Sequence, residues 1–154
     1  MPDINTDRLV LVVVGAHIRA EVYDRAPAMR LREAIDETVA GRWRDAGQGT
    51  DKQGAPQVIV LTDLWRLNDP LLAPLPQVSV GHPEVNALSA FLADKVPPAY
   101  VVDGELAVQF DAAAPEAVAL CWGIDHAATD RAVDEFMARY LGAFADAVVR
   151  ELGE

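Results

Sequence analysis

The sequence predicts an α/β fold with a mostly parallel sheet, in a single domain spanning residues 1–154. Two observations lead to this prediction. Short runs of β-branched and apolar residues alternate along the chain with stretches whose apolar residues recur at helical spacing. The short runs are apolar throughout, which is typical of strands that helices cover on both faces. A chain of 154 residues is also close to the usual size of one domain.

The first part of the chain predicts two strands and one helix. Arg8 to Ala16 and Gln57 to Thr62 are continuous apolar runs. Between them, Arg19 to Arg42 has helical periodicity, and Pro27 either separates its first turn or begins the helix. The Gly-rich stretch from Ala46 to Ala55 predicts a mobile loop. The apolar stripe of the helix comprises Val22, Met29, Ile35, Val39 and Trp43.

A third strand and a hairpin follow. Gln77 to Val80 predicts a short strand, which runs into Gly81-His82-Pro83 and an amphipathic helix ending near Lys95. Tyr100 to Val102 and Glu105 to Phe110 then flank Asp103-Gly104, a dipeptide typical of a type I′ hairpin turn.

The last part of the chain predicts a sixth strand, Ala117 to Ile124, and one long helix ending near Leu152. Because crossover connections keep consecutive strands parallel, only the hairpin strand Glu105 to Phe110 should run against the others. The result is a three-layer, Rossmann-like sandwich of about six strands with helices on both faces. The final helix should face the core with Val133, Phe136, Met137, Tyr140, Phe144 and Val148.

Polar residues gather where the predicted parallel strands end. Ligands of open α/β sheets bind beyond these carboxyl ends. All three histidines follow such strands, which makes His17, His82 and His126 candidate ligands of a divalent metal such as zinc. Without metal, His17, Asp63 and His126 could act as catalytic acid and base groups.

Structural interpretations of the same residues remain open. Buried strands place polar residues at their ends in any case, and strand order decides whether the three histidines meet. His82 is followed by Pro83 at a first helical position and by Glu84, so it also fits a helix entry. Asn86 inside that helix would be explained by a local hydrogen bond, by a ligand or by an exposed position.

A phosphate or nucleotide site is a competing interpretation, since helix starts after Gly81 and Asp125 offer free N–H groups. The glycine spacing matches neither common phosphate-binding motif. The acids Glu84, Asp125 and Asp130 would repel an anion unless Arg19, Arg66 or Arg131 turned inward.

Charge and composition exclude other classes of function. Seven arginines balance the acids before Asp45, so the net charge of −11 lies in the later part of the chain. That part would repel nucleic acid and anionic membranes, and neither is an expected partner. The single cysteine, Cys121, lies in an apolar strand and is expected in the core. With neither a signal peptide nor a membrane span evident, the expected location is the cytoplasm.

The apolar segment Leu64 to Pro76 contains three prolines and predicts neither a long helix nor an inner strand. Such segments are packed coverings, lids or subunit contacts. Trp65 within it and Trp122 in the sixth strand are expected to be packing residues, with a place in the wall of the pocket as the alternative.

Two turn segments, Gly81-His82-Pro83-Glu84-Val85-Asn86-Ala87-Leu88 and Gly123 to Ala132, resemble the Rossmann-like module of archaeal surface-layer proteins. That module has a GGPxxN turn after one strand and a later turn with a glycine, an acid and a threonine before its closing helix. His82 replaces the second glycine, and the resemblance covers under half of the chain. It implies the same topology, whereas a surface-layer role would require export.

Two functional hypotheses follow. The first is a small-molecule-binding or enzymatic domain, with candidate ligand-binding residues Gly81, His82, Asn86, Asp125 and Thr129. A hydrolytic or lyase-type reaction would suit these groups together with His17, Asp63 and His126. The second is a non-catalytic module that binds another protein or its own copy through residues 64–76 and Trp43.

Overall fold

The computed structural model describes residues 8–47 and 54–153, so most of the Gly-rich loop predicted at 46–55 lies outside the described residues. Within them the chain forms one six-stranded sheet flanked by helices. The strands are β1 (Leu9–Val14), β2 (Gln57–Thr62), β3 (Gln77–Val80), β4 (Pro98–Val102), β5 (Leu106–Phe110) and β6 (Val118–Gly123), in the spatial order β2-β1-β3-β6-β5-β4.

The sheet is mostly parallel with one antiparallel part. Strand β1 pairs in parallel with β2 and β3, and β3 pairs in parallel with β6. Strand β5 runs antiparallel to both β4 and β6. The predicted direction of each strand is therefore confirmed. The carboxyl ends of β1, β2, β3 and β6 lie together at one edge, which we call the carboxyl edge.

The hairpin turn differs from the predicted type I′ turn. Gly104 has φ of +73°, but no residue other than glycine has a positive φ in the described part of the chain, so Asp103 does not. The amide of Glu105 donates to the carbonyl of Val102, and Val102 pairs with Leu106. A type I′ turn requires a positive φ at both central residues.

The helices are α1 (Ile18–Tyr23), α2 (Arg25–Asp45), α3 (Asp63–Asn68), α4 (Ala87–Leu92), α5 (His126–Arg139) and α6 (Leu141–Leu152). The first predicted helix is thus two helices that meet at Asp24, with Pro27 in the first turn of α2. Val22 and Met29 are exposed, whereas Ile35, Val39 and Trp43 of the predicted stripe are buried. No helix in the described ranges is long and apolar enough to span a lipid bilayer.

Two more predicted helices have different limits. The final helix is broken at Tyr140, where ψ is −7° and the side-chain hydroxyl donates to the carbonyl of Ala99. Helix α4 begins at Ala87 instead of Pro83, because the amides of Val85 and Asn86 both bond to the carbonyl of His82 in a turn. His82 is therefore not the entry of this helix.

Strand β1 is buried on both faces, and this explains why its sequence is apolar throughout. Val10, Val12 and Val14 pack in one core with residues of α2, α5 and α6. Leu9, Leu11 and Val13 pack on the other side with Leu88 and Leu92 of α4 and with Leu72 and Leu75. Cys121 lies at the centre of the sheet, paired with Val80 and Val108, and is fully buried as predicted.

Candidate functional site

The polar residues of the carboxyl edge line two neighbouring clefts. The first, which we call the Asp24 cleft, has a volume of about 190 Å³. The second, the His17 cleft, has a volume of about 500 Å³ and includes His17, Asp63 and Asn86. The Asp24 cleft is lined by Arg19, Tyr23, Asp24, His82, Glu84, Val85, Gly123, Ile124, Asp125, His126 and Thr129.

The structure does not assemble the predicted three-histidine metal site. His82 and His126 share the Asp24 cleft, whereas His17 lines the other cleft. In the part of the chain that the structure describes, no group of three or more His, Cys, Asp or Glu side chains could hold a metal ion. His17 instead caps α1, because its Nδ1 accepts a hydrogen bond from the amide of Arg19 at 3.1 Å. The Nδ1 of His82 accepts one from the amide of Glu84 at 3.0 Å.

The structure shows Asp63, a predicted catalytic residue, hydrogen-bonded to three backbone amides. Its carboxylate is 4% exposed and accepts three backbone hydrogen bonds. Oδ1 accepts from the amides of Ala16 at 2.9 Å and Leu64 at 2.7 Å, and Oδ2 accepts from Ala87 at 2.7 Å. These bonds join the end of β1 to the starts of α3 and α4.

Asn86, a predicted ligand-binding residue, is completely buried and caps α4. Its Nδ2 donates to the carbonyls of Val13 at 3.2 Å and Val80 at 2.9 Å. Its Oδ1 accepts from the amides of Leu88 and Ser89. Of the explanations left open by the sequence, local hydrogen bonding is the one observed, and it leaves no free donor for a ligand.

The predicted residues around α5 line the Asp24 cleft and also hold its wall. Asp125 is the N-cap of α5 and accepts from the amide of Ala128 at 2.8 Å. The buried hydroxyl of Thr129 accepts from the amide of Gly123 at 3.0 Å. The wall of the cleft is thus built by a capped helix start, and its position is fixed.

Asp24 lines the Asp24 cleft, and it was not among the residues predicted from the sequence. It lies between α1 and α2 and is only 4% exposed. Its side chain makes no capping bond to α2, and among the described residues it has no hydrogen-bond or ion-pair partner. Burial without a partner raises the pKa of Asp24 from 3.8 to about 6, and the charge of His126 partly opposes this rise.

Gly81 makes room for this carboxylate. A Cβ atom on Gly81 would lie 2.8 Å from Oδ2 of Asp24, and the φ of Gly81 is +124°, a region that favours glycine. The predicted ligand-binding residue Gly81 therefore acts behind the cleft, as the surface against which Asp24 packs.

Aromatic contacts position both histidines of the Asp24 cleft. The His126 ring stacks on Tyr23, with centroids 4.3 Å apart and an interplanar angle of 16°. The His82 ring meets the edge of Trp122 at 5.3 Å. Nε1 of Trp122 in turn donates a hydrogen bond to Oε1 of Gln109 at 2.8 Å, which holds the indole ring in place.

The charges of the cleft do not favour the phosphate interpretation. Of the three arginines that could have offset the acids, only Arg19 lines the cleft. Arg131 lies near Glu105, and Arg66 lines a different cleft. Asp24, Glu84 and Asp125 outnumber the one arginine, so an anionic ligand would be repelled.

A buried carboxyl group that titrates near neutral pH, next to an imidazole in a cleft, has the properties of a general acid–base group. Sequence signals at Asp24 point to a different role, since an aspartate three residues before a proline in a helical pattern predicts an ordinary N-cap. The packed structure, and not the local sequence, leaves Asp24 without a capping bond.

No protein-family model matches this chain, and no curated protein sequence matches it. The chemistry inferred for the site therefore rests on the geometry of Asp24, His126 and their cleft.

Proposed function

We propose that this chain is a small-molecule-binding, enzymatic domain whose acid–base site is the Asp24 cleft. The observation that supports the proposal is the state of Asp24, a buried carboxyl group that lines a cleft and has no side-chain partner among the described residues. Burying a polar group without a protein partner is costly in free energy. A ligand that donates to the carboxylate would supply the missing partner.

In this proposal Asp24 exchanges a proton with the substrate. A carboxyl group with a pKa of about 6 is present in both protonation states near neutral pH, so it can accept or return a proton. Protonated His126 stabilises the ionised carboxylate, and its stacking on Tyr23 fixes the ring. Hydrolysis and elimination are the reaction classes that need only these groups.

The substrate we infer is a small, neutral or cationic polar molecule. The cleft of about 190 Å³ suits a small molecule, and its acids disfavour phosphates and nucleotides. We also assign the fold to the Rossmann-like three-layer sandwiches, which is consistent with ligand binding at the carboxyl edge.

The test is a thermal-shift screen of small neutral and cationic polar compounds at pH 5 and pH 8, followed by activity assays of the hits. A ligand that binds only the folded chain raises its apparent stability. Compounds that raise the melting temperature of the unaltered protein should have no effect on Asp24→Asn. They should still stabilise Asp36→Asn, a matched change at an exposed position on α2. Hits that survive in Asp24→Asn, or an absence of hits at both pH values, would count against the site.

Homo-oligomerisation through residues 64–76 is the second candidate function, and one observation favours it. Trp65 and Leu71 are 59% and 74% exposed, although packing was the first expectation for Trp65. Trp43, the other residue of this hypothesis, is buried and cannot contribute a surface contact. Sedimentation velocity of Trp65→Ser and Leu71→Ser tests the proposal, since both changes should dissociate an oligomer of the unaltered chain. A monomer before substitution would eliminate it.

A further inference from the structure

A separate cleft lies at the opposite edge of the sheet, near the amino ends of β3 and β6. We call it the Arg66 cleft, and its volume is about 340 Å³. Gln77 at the start of β3 and Val118 at the start of β6 contribute to its lining, together with Arg66 of α3. None of these residues belongs to the acid–base site proposed above.

Arg66 is a buried cation without a carboxylate partner. Arg66 is only 8% exposed, yet its guanidinium forms no ion pair with any described residue. Its one hydrogen bond within the described chain runs from Nε to Oε1 of Gln77 at 2.6 Å. The two terminal nitrogens of the guanidinium therefore lack acceptors among the described residues, and Arg66 lines the cleft. A largely buried charge without a partner is costly, and an anion in the cleft would supply that partner.

The guanidinium is held in place by its neighbour. Nε2 of Gln77 donates to the carbonyls of Ala73 at 3.1 Å and Leu75 at 2.6 Å, which fixes the amide that Arg66 contacts. A preorganised guanidinium binds a carboxylate through two parallel hydrogen bonds without losing much side-chain freedom. The geometry of Arg66 is therefore typical of a carboxylate-binding group.

The other residues of the Arg66 cleft indicate which kind of ligand would fit beside the guanidinium. Phe91, Leu92 and Val96 provide apolar walls, and Lys95 adds a second cation. Asp111 and Glu116 also line the cleft, and neither contacts Arg66. Two acids beside two cations leave no net positive charge for a multiply charged anion, so phosphate is disfavoured.

We propose that the Arg66 cleft binds a small monocarboxylate, with the carboxylate on Arg66 and the hydrocarbon part against Phe91, Leu92 and Val96. The site is independent of the Asp24 cleft, and its ligand could be a metabolite or a regulator of the domain. The shared chemistry is one negative charge on an apolar body.

Titration of the ¹⁵N-labelled chain with hexanoate and benzoate, followed by NMR, tests the proposal. Hexanamide, which has the same body without the charge, and inorganic phosphate are the matched probes. We expect hexanoate or benzoate to shift the backbone amides near the guanidinium, with weaker or no shifts from hexanamide and phosphate. These amides are those of Ala73, Leu75, Gln77, Ala114, Glu116 and Val118. Equal binding of hexanamide, preferential binding of phosphate, or no binding of either carboxylate would overturn the proposal.

Variants then test the role of each cation. Arg66→Met should weaken carboxylate binding by at least about tenfold, since it removes a charge-assisted pair of hydrogen bonds. Lys95→Met, at an exposed side chain, should weaken binding roughly twofold to fivefold. Arg42→Met removes an exposed cation from the pair with Asp146 and should have no effect. If Arg66→Met fails to fold, Arg66→Lys replaces it. This change keeps the charge but not the two parallel donors, so it should also weaken binding, and an unchanged affinity would overturn the proposal.

Discussion

Two aspartates at the carboxyl edge are equally buried but differ in the hydrogen bonds that their carboxylates accept. Asp63 and Asp24 are each 4% exposed. The carboxylate of Asp63 accepts three backbone hydrogen bonds, whereas the carboxylate of Asp24 accepts none within the described chain. The comparison teaches that burial of a carboxylate does not indicate its role. The number of its protein partners separates a group that holds the fold together from one available to a ligand.

Asn86→Ala is the substitution with the largest expected effect. It tests a third buried polar side chain, which, like Asp63, is fully hydrogen-bonded to the backbone. The change leaves two carbonyls and two amides of the β1, β3 and α4 ends without their partner. We expect the free energy of unfolding to fall by about 3–4 kcal/mol, because each buried unsatisfied group is costly. Urea denaturation followed by circular dichroism measures the change. A loss below about 1 kcal/mol would mean that water replaces the amide.

Asp63→Asn should have the next largest effect. An amide oxygen can keep at most two of the three bonds, and its NH₂ group would face a backbone N–H donor. We expect a loss of about 2 kcal/mol in the free energy of unfolding. Differential scanning calorimetry at pH 7 gives the value, with Asp36→Asn as the exposed control.

The same substitution at Asp24 should have the opposite sign. Asp24→Asn removes the cost of ionising a buried carboxyl group, and we expect about 1–2 kcal/mol of stabilisation at pH 8. Because the folded-state pKa of about 6 exceeds the unfolded value of 3.8, this cost is absent below pH 4, grows as pH rises to about 6, and is constant above.

Urea denaturation of the unaltered chain and Asp24→Asn between pH 4 and pH 8 measures this difference. The gap between the two curves should widen through the interval from pH 4 to pH 6. A gap that is constant with pH would show that Asp24 is not buried as an uncompensated acid.

The smallest predicted effect concerns His126. His126→Gln keeps a polar side chain of similar reach but removes the charge that opposes the raised pKa of Asp24. We expect the pKa of Asp24 to rise further, as measured by ¹³C NMR of the aspartate carboxyl resonances against pH. An unchanged or lowered pKa would separate the two residues and weaken the proposed acid–base pair.

The strands could be predicted closely because their signal is local. The continuous apolar runs of β1, β2 and β3 are buried on at least one side by covering helices, and the limits of β2 and β3 match the expected residues. The reversal of β5 followed from the short connections on either side of it. The helices were less predictable, since no proline marks the break at Tyr140, where the side chain bonds to Ala99, far away in sequence.

The candidate site could be predicted only in part. Polar residues at strand ends correctly indicated the carboxyl edge as their location, and His82 and His126 do share a cleft. Asp24 was missed because it follows no strand, and its isolation arises where α1, α2 and the loop at Gly81 meet. Which polar group is satisfied and which is not is a property of the packed structure, so no local pattern reveals it.

Cys121 can report the opening of the core that lies under α2, α5 and α6. It is the single thiol of the chain, lies in a strand paired on both sides and is fully buried, and burial also raises its pKa. An alkylating reagent can therefore reach the sulfur only after the helices that cover this face of the sheet move away. The rate of modification, followed by mass spectrometry, counts these openings directly. Variants at Asp24, Asp63 and Asn86 could thus be ranked together in a single mixture without denaturant.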